Sequence, residues 1–153
     1  MKREAGSGKR EAGVLGTGLS EGVREGTRDN LFCRVRDHHS LRAWREAHAA
    51  SVGVIRLARD GWRPHAAALY AQLQRAALSV ELNIAEGYTF GDSPTFTRHL
   101  GIAYGSAVET VELLRLGIEA DVLPQAPGQE TLAHADGARV LLLGLLKRRR
   151  KFS

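Results

Sequence analysis

Between positions 96 and 118 the sequence sets Phe96, Leu100, Ala103, Ala107, Val111, Leu114 and Ile118 at steps of three and four. At 3.6 residues per turn, all seven fall on one face of a single helix, and such a face must be buried against other elements. The flanking segments carry the same period. Ser40 is a candidate N-cap for a helix running to about Asp60, with Leu41, Trp44, Val52 and Ile55 turned inward. "DGWRP" at 60–64 breaks the chain through Gly61 and Pro64. A second helix is predicted from about His65 to Glu86, with Leu73, Ala76, Val80 and Ile84 inward and Gly87 as its stop. Ser93 and Pro94 supply an N-cap and an N1 proline for the third, which extends to about Asp121. Pro124 and Pro127 punctuate its end, and a fourth runs from about Gln129 to Arg149. No segment alternates with the two-residue period of a strand. Four helices with short connections predict an all-α, antiparallel up-and-down four-helix bundle over residues 37–146.

Two details point beyond one isolated bundle. "VLLLGLL" at 140–146 is apolar around the whole helix apart from Gly144, whereas a helix buried on one face only shows a polar side. Gly101 and Gly105 lie four apart on the third helix, where each costs roughly 1 kcal/mol relative to alanine. Glycine at that spacing lets another helix approach closely, so self-association is expected.

No apolar run reaches the ~20 residues of a membrane span, and the first residues lack the apolar stretch of a secretory signal. Cys33 is the one cysteine, which excludes a disulfide framework and a thiolate metal cluster. The expected location is the cytoplasm. Residues 1–36 are rich in glycine and charge, repeat "KREAG" at 2–6 and 9–13, and read as a disordered extension. "GSGK" at 6–9 lacks the earlier glycine, the following Ser/Thr and the preceding strand of a phosphate loop. The net charge of +5 is unevenly placed. Residues 1–36 hold eight Lys/Arg against five Asp/Glu, and residues 37–146 nine against twelve. "KRRRK" at 147–151 adds five cations. The helical body is therefore acidic and the ends are basic.

Two sets of residues are candidate sites. Gln72, Arg75, Ser79, Asn83 and Glu86 recur at steps of three and four and form a polar stripe on the second helix. Counting outward from the loop near 87–92 places Glu109 of the third helix opposite Arg75, as the carboxylate that a half-buried guanidinium needs. The stripe reads as polar glue fixing helix register. The second set, Lys147, Arg148, Arg149, Arg150 and Lys151 in the segment 147–153, exceeds the one or two cations that suit a helix C-terminus. Five together make a phosphate-binding arm for RNA or DNA, and Phe152 could stack on a base. Catalysis finds little support. Glu81, Glu86, Glu109 and Glu112 sit on regular helix faces, and none of the six histidines forms the i, i+4 pair of a helical zinc site. His38 and His39 are expected to face solvent. No catalytic residue, cofactor or metal is expected.

"QLQRAALSVELNIAEGYTF" at 72–90 and "FTRHLGIAYGSAVETVELLRLGIEADVL" at 96–123 carry a family resemblance. The residues concerned are Gln72, Arg75, Ala76, Ser79, Asn83, Ile84, Ala85, Glu86 and Gly87, joined by Phe96, Leu100, Ala103, Gly105, Ser106 and Glu109. "LRAWREAHAAS" at 41–51, with Trp44, is similar to the family's opening helix. Over residues 37–146 the chain resembles the four-helix-bundle proteins encoded in intervening sequences of bacterial large-subunit ribosomal RNA genes. The resemblance implies a left-handed antiparallel bundle, often assembled as a homopentameric ring. It extends to the accessory variability determinant proteins of diversity-generating retroelements, whose pentameric barrel binds nucleic acid and partners a reverse transcriptase. Those barrels are basic on their surface, whereas this body is acidic. The resulting expectation is a non-enzymatic, homo-oligomeric, nucleic-acid-associated accessory protein, with a purely structural interaction scaffold as the alternative.

Overall fold

The computed structural model describes residues 37–150, and the 1–36 extension lies outside the described residues. A 3-10 turn at His38–Ser40 leads into α1 (Arg42–Gly61). A second 3-10 turn at Pro64–Ala66 leads into α2 (Ala67–Thr89), followed by α3 (Pro94–Glu119) and α4 (Gln125–Arg150). Among the described residues there is no strand, and no helix is long and apolar enough to cross a membrane. Each helix packs on two neighbours, α1 on α2 and α4, and α3 on α2 and α4. The helices run antiparallel around this square. Glu46 near the start of α1 meets His134 of α4, while Gly53 further along α1 meets Thr131 nearer the start of α4.

The core has two layers. Val54, Leu57, Tyr70, Leu73, Val111, Leu114, Ile118 and Leu123 fill one, and Val80, Ile84, Leu100, Leu142 and Leu146 anchor the other. Ala47, Ala50, Ala77, Ala107, Ala135 and Ala138 are all buried, and small side chains at these positions let the backbones approach. The Tyr70 hydroxyl donates to the Gly61 carbonyl at 3.0 Å and reaches the Val122 carbonyl at 3.4 Å, tying two inter-helix connections together. Burial raises the pKa of that phenol above its ordinary value.

Several helix ends and faces differ from the sequence expectations. Ser40 does not cap α1, because its hydroxyl donates to the Asp37 carbonyl at 2.7 Å within the 3-10 turn. Leu41 takes the N-cap position without a side-chain bond. Ile55 points outward at 46% exposure, since the buried face of α1 is the alanine-rich series Ala43, Ala47, Ala50, Ser51, Val54, Leu57 and Ala58. Gly87 does not end α2. It is buried inside the last turn, where an added Cβ would lie 2.6 Å from the His99 Cβ. The left-handed turn residue is instead Gly91, at φ 64°. Ser93 does cap α3, accepting the Phe96 N–H at 3.2 Å. α4 begins four residues earlier than expected because Pro127 fits its first turn, where no N–H is required.

Candidate nucleic-acid interface and polar seam

The polar stripe lies along the contact between α2 and α3. The Gln72 amide donates to the Glu109 carboxylate, and the Arg75 guanidinium donates to the Gln72 amide oxygen. The direct Arg75–Glu109 bond expected from the sequence is thus replaced by a relay through Gln72. Arg75 and Glu109 are exposed at the rim while Gln72 is half-buried between them. Ser79 Oγ and Ser106 Oγ lie 2.9 Å apart across the seam. Asn83 Nδ2 donates to the Ser79 carbonyl at 2.8 Å, and its Oδ1 lies 3.1 Å from His99 Nδ1. That arrangement requires the hydrogen on Nδ1, because an amide oxygen only accepts. Glu86 Oε2 stands 3.9 Å from the same nitrogen, and Phe90 stacks on the imidazole at 5.5 Å. Ser106, His99 and Phe90 complete a seam that the stripe on α2 alone did not reveal. Ser106 lies three residues before Glu109, His99 three after Phe96 and Phe90 four after Glu86, and these offsets were the available signal.

At one end of the bundle α4 finishes beside the start of α1. The basic run is mostly helix, since α4 continues through Arg150, while Lys151 and Phe152 lie outside the described residues. Helical geometry turns successive side chains by about 100°, so Lys147, Arg148 and Arg149 cannot share a direction. Lys147 and Arg148 are exposed. Arg149 turns back onto the bundle. Its Nε donates to Thr97 Oγ1 at 2.7 Å, one terminal nitrogen donates to the Ser93 carbonyl at 2.9 Å, and the other pairs with Asp92. Its guanidinium carbon lies 4.9 Å from the centre of the Phe96 ring. This clasp holds the last turns of α4 against the start of α3. Arg42 and Arg45 are exposed on the first turn of α1, and Arg98 is exposed on the first turns of α3. All belong to the same end of the bundle. A groove along α1 and α4 towards the opposite end is lined by Arg56, His48 and His134, but also by Asp60, Asp121 and Glu130. Its mixed charge makes it a poorer phosphate track than the cationic end.

The family model of the 23S rRNA-intervening sequence protein matches residues 39–144. The chain belongs to this family. The match runs from the first 3-10 turn to Gly144 and takes in the whole polar seam. It ends before Lys147, so the cations that finish α4 lie beyond the shared family region. A comparison with curated proteins finds no match.

Proposed function

We propose that this member of the intervening-sequence family is a non-enzymatic nucleic-acid-associated accessory protein. In this reading the bundle is a self-associating scaffold and the cationic end makes the phosphate contact. The observation that carries it is the arrangement at that end. Lys147 and Arg148 are exposed on a helix whose last turns are clasped by Arg149, beside exposed Arg42 and Arg45. Cations presented on a rigid helix lose less freedom on meeting a phosphate than cations on a loose arm. Membership of a family named for 23S rRNA intervening sequences is compatible with an RNA partner.

Self-association is supported by surface that the described residues leave uncovered. Leu78, Leu82 and Ile102 are exposed on the outer side of α2 and α3 at 39%, 61% and 43%. Among the described residues an added Cβ at Gly101, Gly105 or Gly144 would meet nothing within 4 Å, so packing among them does not account for glycine there. Close approach of a second copy does, and a homopentameric ring is the assembly proposed. The seam from Gln72 to Glu86 then acts as the register device between α2 and α3. A reverse transcriptase of a diversity-generating retroelement is a protein partner of the right kind for such a ring in the cytoplasm.

A purely structural interaction scaffold is favoured by the acidic balance of residues 37–146. The two readings separate in one experiment. The doubly substituted Lys147→Ala, Arg148→Ala protein keeps the clasp and should keep its oligomeric mass. It should lose at least about tenfold in affinity for a labelled single-stranded RNA at low salt. Unchanged RNA affinity in that variant assigns the protein to the scaffold reading.

A further inference from the structure

Asp37, His38 and His39 precede α1, and each offers one donor atom within 4.8 Å of the other two. The sequence suggested solvent-facing histidines. In the structure His38 is half-buried, and both imidazoles pack edge-on against Trp44, with ring centres at 5.2 and 4.3 Å. His48 stacks on the Trp44 ring at 4.9 Å and 11°, with its Nδ1 2.9 Å from Glu81. Tyr88 stands 6.5 Å from His38. The Trp44 Nε1 in the same cluster is buried without a hydrogen-bond partner among the described residues. An unmade buried bond costs about 1–3 kcal/mol, so packing stability alone does not explain this corner.

The 3-10 turn itself is fixed. Asp37 Oδ1 accepts the His39 N–H at 2.9 Å, Ser40 Oγ donates to the Asp37 carbonyl, and the Leu41 N–H donates to the His38 carbonyl at 2.9 Å. Asp37 Oδ1 also lies 2.5 Å from His39 Nδ1. The bonds from the His39 backbone and ring hold the Asp37 carboxyl below its ordinary pKa, so it is an anion at neutral pH. One carboxylate oxygen and two imidazole nitrogens, outside the polar seam and at the same end of the bundle as the basic residues, are a donor set for a borderline divalent metal.

We propose that Asp37, His38 and His39 form a metal site for a divalent transition-metal ion of the Zn²⁺, Ni²⁺ or Cu²⁺ class. Such an ion holds its donors at about 2.0–2.2 Å, which places them roughly 3.3–3.6 Å apart in a tetrahedral shell. Donors already within 4.8 Å reach that spacing by small side-chain rotations. The Asp37–His39 contact opens by about 1 Å as the ion replaces the shared hydrogen between them. His39 then ligates as the neutral ring, its hydrogen carried by the other nitrogen. Water completes the coordination.

Trp44 serves as the reporter, because both ring ligands touch it. In untagged full-length protein carrying Trp62→Phe, Cu²⁺ or Ni²⁺ should quench the Trp44 fluorescence with one-to-one stoichiometry, and Zn²⁺ should compete. His38→Ala and His39→Ala should each weaken that binding at least tenfold, and Asp37→Asn should weaken it without touching a packed ring. His65→Ala should leave it unchanged. Far-ultraviolet circular dichroism without metal should be the same in all four. Equal quenching in the wild-type and Asp37→Asn, His39→Ala proteins, or equal loss in His65→Ala, would overturn the assignment.

Discussion

Arg75 and Ser79 lie one turn apart on the same stripe of α2, yet their surroundings give them different weights. Arg75 is exposed and bonds to Gln72 at the rim, where charged contacts contribute about 0–1 kcal/mol. Ser79 is half-buried, bonds across to Ser106 and receives a further bond from Asn83. Ser79→Ala should therefore cost about 1 kcal/mol by urea denaturation, and Arg75→Ala about half of that or less. The reverse order would mean that the guanidinium, not the hydroxyl pair, holds the seam. The stripe was legible from spacing alone because helical periodicity fixes which residues share a face. The partner of Arg75 was not, because Gln72 reaches between it and Glu109, and side-chain reach leaves no trace in spacing. His38 was misread for a similar reason, while His39 stays exposed as expected. Their packing depends on Trp44 five and six residues later, across the junction of a 3-10 turn and a helix.

Among the elements, α3 followed its sequence closely while α1 and α4 did not. The seven apolar positions of α3 sit on one face, and Ser93 caps it as the Ser-Pro pair implied. On α1 the inward face is made largely of alanine, so the larger Ile55 drew the expectation towards the wrong side, while Val52 is half-buried. On α4 a proline suggested a boundary but proved to be a first-turn residue. The far end of α4 rests on Arg149, whose side chain is 20% exposed and bonds to three residues near the start of α3. Arg149→Ala should speed hydrogen exchange over the last two turns of α4 and lower global stability by about 1–2 kcal/mol. Arg148→Ala should change neither. Equal exchange in both variants would show that the clasp is not what orders this end.

For the whole molecule, the bundle was readable because four apolar faces of similar length have few ways to bury one another. The proposed assembly and binding would rest on surfaces whose partners are outside the chain. Gly105 tests the first. An alanine there meets nothing among the described residues and should stabilise an isolated bundle by about 0.5–1 kcal/mol. In the proposed assembly the same substitution crowds a neighbouring copy, so light scattering should record a lower mass at unchanged helicity. An unchanged mass would remove Gly105 from the interface. The central claim, that exposed cations at the end of α4 contact phosphate, is tested most directly by the salt dependence of RNA affinity. Each phosphate neutralised on a single strand contributes a slope of about −0.7 in log affinity against log salt. Measured between about 50 and 200 mM salt, Lys147→Ala with Arg148→Ala should flatten that slope by about 1.4 per chain engaged. A slope identical to that of the wild-type protein would contradict the account.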